Sequence, residues 1–115
     1  MLEKIARKLA SLGLPGVVFV VVLSTQGLLG LSGAAAITST LSFLGGPVGM
    51  IGGISLLVLL VPVGEILGKY GLEKVLLAIY QERMKQGTSL TKITNEIKKI
   101  GVSESLQAKI IAQLQ

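Results

Sequence analysis

Between Lys8 and Glu65 the chain carries no ionisable side chain. This uncharged tract, Leu9 to Gly64, constrains the fold more than any other feature. A small soluble domain leaves much of its surface in water, and soluble domains average about 25% charged residues. Here only 15% are charged, half are hydrophobic, and the mean hydropathy is +0.75. A membrane-crossing helix needs roughly 20 mainly apolar residues, so the tract accommodates two spans and a connection. The expectation is an all-α, small integral membrane protein: a two-span hairpin with a short amphipathic helix before it and a charged helical tail after it.

The parts read as three units: residues 1–13, 14–64 and 65–115. In "MLEKIARKLASLGLPG", Leu2, Ile5, Leu9 and Leu12 recur at helical spacing, with Lys4, Arg7, Lys8 and Ser11 opposite. Such a helix lies in a headgroup layer, and Lys4, Arg7 and Lys8 are the candidate lipid-headgroup contacts. The rival reading of the same start is a secretory signal, with Gly33–Ala36 as a small-residue cleavage site. Apolar character persists well beyond that site, which favours a retained segment.

The first span is expected over about Leu14 to Leu31. Its valine run would suggest a strand in water. In a bilayer, however, only helices and closed barrels satisfy the backbone, and the polar-in alternation of a barrel strand is missing. The second span is expected over Pro47 to Val63. Pro47 suits a first helical turn, and Pro62 is expected to bend the helix or begin its exit. Beyond it, Glu65 and Lys69 form a candidate interfacial ion pair at i, i+4, beside the interfacial aromatic Tyr70. Glu65 is also the sole acid near a span, and an acid at membrane depth is a functional candidate; its position at the end favours the ion pair.

Small residues crowd the tract: ten of the fifteen glycines fall between Gly13 and Gly53. Gly30, Ala34, Thr38, Ser42 and Gly46 recur every fourth residue, and Gly49 and Gly53 add a GxxxG. In lipid, helices associate by close backbone approach and Ser/Thr hydrogen bonds. These seven residues are therefore the candidate helix-packing or homo-oligomer interface. Charge sets the expected topology: three Lys/Arg precede the tract, eight follow it and none interrupts it. By the positive-inside rule both termini face the cytoplasm of a cell (inner) membrane. A three-span version, with Gly27–Gly45 as a separate helix, would split the basic ends across the bilayer.

The tail reads as about three short amphipathic helices. Leu72, Val75, Leu76 and Ile79 share one face before a stop at Gly87. Ser89 caps a second helix bearing Leu90, Ile93, Ile97 and Ile100, and Ser103 starts a third with Leu106, Ile110 and Leu114. Their apolar stripes need mutual packing, a membrane surface or a protein partner for residues 65–115.

No catalytic, metal or cofactor site is expected. There is no Cys, His or Asp, the six Glu are scattered, and the Ser/Thr hydroxyls of the tract have no base nearby. "GGPVGMIGG" lacks the P-loop lysine and the strand–helix context of a dinucleotide site. The formal charge of +5 flanks an apolar block, which points to anionic lipid and not to nucleic acid.

The run "GLSGAAAITSTLSFLGGPVGMIGG" resembles the glycine/alanine-rich core of the interferon-alpha-inducible family of small hydrophobic proteins and its bacterial relatives. The matching positions are Ala34, Ala35, Ala36 and Ile37, then Gly45–Gly46 and Gly52–Gly53. The valine-rich first span and the charged tail fall outside that pattern. The resemblance implies membrane residence and a role in membrane perturbation or cell-death-type defence. The expected function is a self-associating, pore-like or membrane-perturbing effector regulated by its tail, with Ser24, Thr25, Gln26, Thr38, Ser39, Thr40 and Ser42 lining a weakly polar path. The alternative is a membrane-anchored adaptor or membrane-shaping subunit whose tail recruits a protein.

Overall fold

The structure, a computed structural model, describes residues 1–24 and 59–115. Six α-helices and no strands are found among them: α1 (Leu2–Ser11), α2 (Leu14–Val22), α3 (Leu60–Tyr70), α4 (Leu72–Lys85), α5 (Leu90–Ile97) and α6 (Glu104–Leu114). The all-helical expectation is met in these parts.

Local chemistry explains the boundaries. Glu3 in the first turn and Lys8 in the last complement the dipole of α1. Gly13 stops that helix with φ +69°, and Pro15 enters α2 at its first turn, where a missing N–H costs nothing. Pro62 likewise stands in the first turn of α3, whose N-cap is Leu59. It does not end α3, because a first-turn N–H has no intrahelical partner to lose. The Ser89 and Ser103 hydroxyls accept from the Lys92 and Leu106 amides, each at 3.2 Å, as N-caps should. Gly71, Gly87 and Gly101, all at positive φ, separate the tail helices.

Packing departs from the three-unit reading. α4 is the hub, touching α1, α2, α3 and α6, and its most extensive neighbour is α1. The apolar face of α1 (Ile5, Ala6, Leu9, Ala10) is buried in one core with Val63, Ile66, Val75, Leu76, Ile79, Ile93, Ile97 and Ile110. So the N-terminal helix gives its apolar stripe to the tail rather than to a headgroup layer. The physical reason is competition: a stripe of that width gains as much from a complementary helix as from acyl chains, and each fully buried Leu or Ile is worth about 1.5–3 kcal/mol. The tail's own stripes resolve the same way, by mutual packing. α3 also runs straight through the expected boundary at Gly64–Glu65, with Val63 and Ile66 both buried.

α1 and α2 meet at one close approach. A Cβ on Gly16 would overlap the Leu9 carbonyl oxygen and lie 3.2 Å from the Leu12 Cβ. Glycine there lets the chain turn back against itself.

No helix among the described residues is long and apolar enough to cross a membrane. Of the expected spans, Leu14–Leu31 is represented by α2 with Leu23 and Ser24 after it, and Pro47–Val63 by Leu59 and the opening of α3; the remainder lies outside the described residues. Within α2, Val17, Phe19, Val20, Val21 and Val22 are buried, and the helix packs on α1 and α4. The valine run is helical, as a membrane span would be, and part of a bundle.

Candidate functional site

Two charged residues occupy apolar positions on α4 and α5. Counting along α4, Val75, Ile79 and Arg83 lie four apart, on the buried stripe. On α5, Ile93, Glu96 and Ile97 share a face in the same manner. The two charges meet: the Arg83 guanidinium donates to both Glu96 carboxylate oxygens, the Nη2–Oε1 bond measuring 3.0 Å. The side chains are 5% and 14% exposed. This bidentate geometry is the strong form of the ion pair, and the Glu96 hydrogen bonds hold the Arg83 pKa above its ordinary value.

Glu82, also buried, extends the cluster to α1. Its carboxylate pairs with Arg7 at 3.8 Å and with Lys85 at 3.4 Å. Ion pairs therefore tie α4 to α1 through Arg7 and to α5 through Glu96. Tyr80 completes the group, with the Arg83 guanidinium 5.7 Å from its ring centroid. The Tyr80 hydroxyl is buried and has no hydrogen-bond partner among the described residues.

Burial, and then the Glu96 carboxylate, push the Tyr80 phenol above its ordinary value of about 10, with Arg83 pulling the other way. The folded state therefore holds the phenolic proton to higher pH than the unfolded chain. The associated stability is complete below about pH 10 and declines above it by up to about 1.4 kcal/mol per pH unit. Tyr80→Phe should abolish that decline in alkaline unfolding titrations. Near neutral pH it should be neutral or stabilising by about 1 kcal/mol, since an unsatisfied hydroxyl is removed. An unchanged alkaline slope in the variant would contradict the assignment.

The remaining expected site residues fare as follows. Lys4, Arg7 and Lys8 are exposed on α1, and Arg7 turns to Glu82. The expected Glu65–Lys69 ion pair is not formed. Both side chains are exposed, and the Lys69 ammonium lies 5.4 Å from the Tyr70 ring centroid. In water such a pair is worth only about 0.3–0.5 kcal/mol, so forgoing it costs little. Ser24, just past the end of α2, donates back to the Val21 carbonyl at 3.0 Å. Gly30, Ala34, Thr38, Ser42, Gly46, Gly49 and Gly53 lie outside the described residues, as do the positions carrying the family resemblance and the other Ser, Thr and Gln of the polar path.

Glu82, Arg83, Glu96 and Tyr80 escape a reading of composition alone, which counts charges as solvated. The signal was nonetheless available, because Arg83 and Glu96 fall on the apolar periodicity of their helices. Chemically the cluster is a lock between helices. Among the described residues no group of three His, Cys, Asp or Glu side chains could hold a metal ion. An open groove of about 440 Å³ between α4 and α6 is lined by Gln81, Met84, Lys85, Gln113 and Leu114. Comparison with protein-family models, curated proteins and solved structures finds no match.

Proposed function

We propose that this chain is a hairpin-anchored, self-associating membrane protein of the membrane-perturbing kind, whose two ends fold into one helical cap. One observation carries the reading: α1, which precedes the uncharged tract, packs along α4, which follows it. Segments joined in that way share one side of a bilayer, in keeping with the charge pattern of the flanks. The cap then holds the feet of the hairpin at a fixed spacing and so governs how the small-residue face meets another copy. The reading favours an effector over an adaptor, because the tail's apolar stripes are already spent. Met1, Leu14 and Val61 are the large apolar side chains exposed among the described residues, and none belongs to α4, α5 or α6.

The uncharged tract supplies lipid solubility and, through Gly49–Gly53 and the Gly30–Gly46 stripe, the contact between copies. Reconstituted into vesicles, the full chain should release an entrapped dye. Gly49→Leu, which prevents close backbone approach, should reduce release to the level of empty vesicles while the protein remains in the membrane fraction. Vesicles that stay tight with the unaltered chain would sink the effector reading. Unchanged leakage in Gly49→Leu would remove the interface from it.

A further inference from the structure

Met1, Lys4, Lys8 and Ser11 succeed one another at spacings of three and four, so they share one face of α1, and all four are exposed. The inner edge of the helix is fixed by Arg7, which is committed to Glu82. Lys4 and Lys8 have no acid partner among the described residues. Immediately after this face the chain presents Leu14, 43% exposed. α1 also touches α3, whose exposed positions Val61, Glu65, Gly68 and Lys69 again lie on one side. Val61 is 68% exposed, and Lys69 forms no ion pair among the described residues.

Among the described residues, the exposed apolar side chains Leu14 and Val61 thus stand near the two ends of the uncharged tract, with lysines that have no acid partner there beside them. Glu65 is the one acid on the exposed side of α3, and Glu3 flanks the face of α1. We propose that the outer face of α1, with Leu14 and the exposed side of α3, seats on an anionic bilayer surface. Met1, Leu14 and Val61 enter the headgroup–acyl boundary, while Lys4, Lys8 and Lys69 engage lipid phosphates. Three features select lipid over a protein partner. The face adjoins both ends of the tract, its cations match anionic headgroups, and its apolar residues are spaced singly rather than as a groove. Lys69 beside Tyr70 is the lysine–aromatic pairing that suits a membrane–water boundary.

The inference rests on the membrane reading above and names the lipid class and the seated face. Because the chain has no Cys, Ser11→Cys places a single fluorophore on this face. The labelled full-length protein is reconstituted into phosphatidylcholine vesicles, with or without phosphatidylglycerol, carrying a headgroup-level quencher lipid. Quenching should be strong in the phosphatidylglycerol vesicles, weak in phosphatidylcholine alone, and relieved by salt. Lys4→Gln and Lys8→Gln should each lower the docked-to-undocked ratio about fivefold.

Equal quenching in both vesicle types would overturn the proposal. So would equally strong quenching of a probe at Ser105→Cys on α6, or shielding of the Ser11 probe only after membrane proteins are added, which would indicate a protein partner. A chain that resists alkaline extraction while failing these tests defeats this inference alone. A chain released into the supernatant defeats the membrane reading itself.

Discussion

Glu96→Ala should destabilise the bundle by about 3–5 kcal/mol, the cost of stranding a buried charge. Arg83 is 5% exposed and donates both arms of its guanidinium to Glu96. With the carboxylate gone, the guanidinium must either stay buried without a partner or drag its helix toward water. Whole domains are stable by only about 5–15 kcal/mol, so a loss of this size should leave α5 and α6 open in much of the population. Denaturant unfolding of the full chain in detergent, followed by helix content, measures it. The pair need not be a net stabiliser. Replacing both partners, Arg83→Met with Glu96→Leu, removes the desolvation cost along with the attraction and should recover most or all of the loss. A single variant as stable as the parent would mean that water reaches Arg83.

Leu9→Ala should cost about 2–5 kcal/mol, the range for truncating a fully buried leucine. Leu9 has no exposed surface and belongs to the core shared by α1 and the tail helices. The substitution separates two positions for α1. A helix lying in a headgroup layer would lose a little lipid affinity and leave the tail unaffected. A helix packed on α4 should instead transmit the loss to the tail, weakening hydrogen-exchange protection along α4 as well as α1. Protection lost from α1 alone would argue that the two helices are independent.

Much of the helical layout was legible in the sequence. Ser89 and Ser103 declare helix starts because a hydroxyl at the N-cap satisfies an otherwise orphaned amide, and both do so. Gly13, Gly71, Gly87 and Gly101 sit where positive φ is required; Gly13, Gly87 and Gly101 could be read as punctuation, whereas the break at Gly71 went unread. Which stripe meets which was not legible. The apolar faces of α1 and α4 are compatible with lipid, with each other or with a partner, and periodicity is silent on the choice. A proline near the end of an apolar run reads as an exit, whereas Pro62 stands in the first turn of α3, a position that depends on where that helix begins. The Arg83–Glu96 lock was half legible: each residue lies on an apolar face, but their meeting is a matter of tertiary packing across two helices.

In the proposed arrangement the segments before and after the uncharged tract form one bundle on one side of a membrane. Single cysteines at Glu3→Cys on α1, outside the lysine face, and Lys92→Cys on α5, both exposed positions, report on it directly in the otherwise cysteine-free chain. In sealed, oriented membranes a membrane-impermeant maleimide should give the two sites the same outcome, both labelled or both protected until the membrane is opened. Labelling of one site and protection of the other would put α1 and α5 on opposite sides and dissolve the shared core.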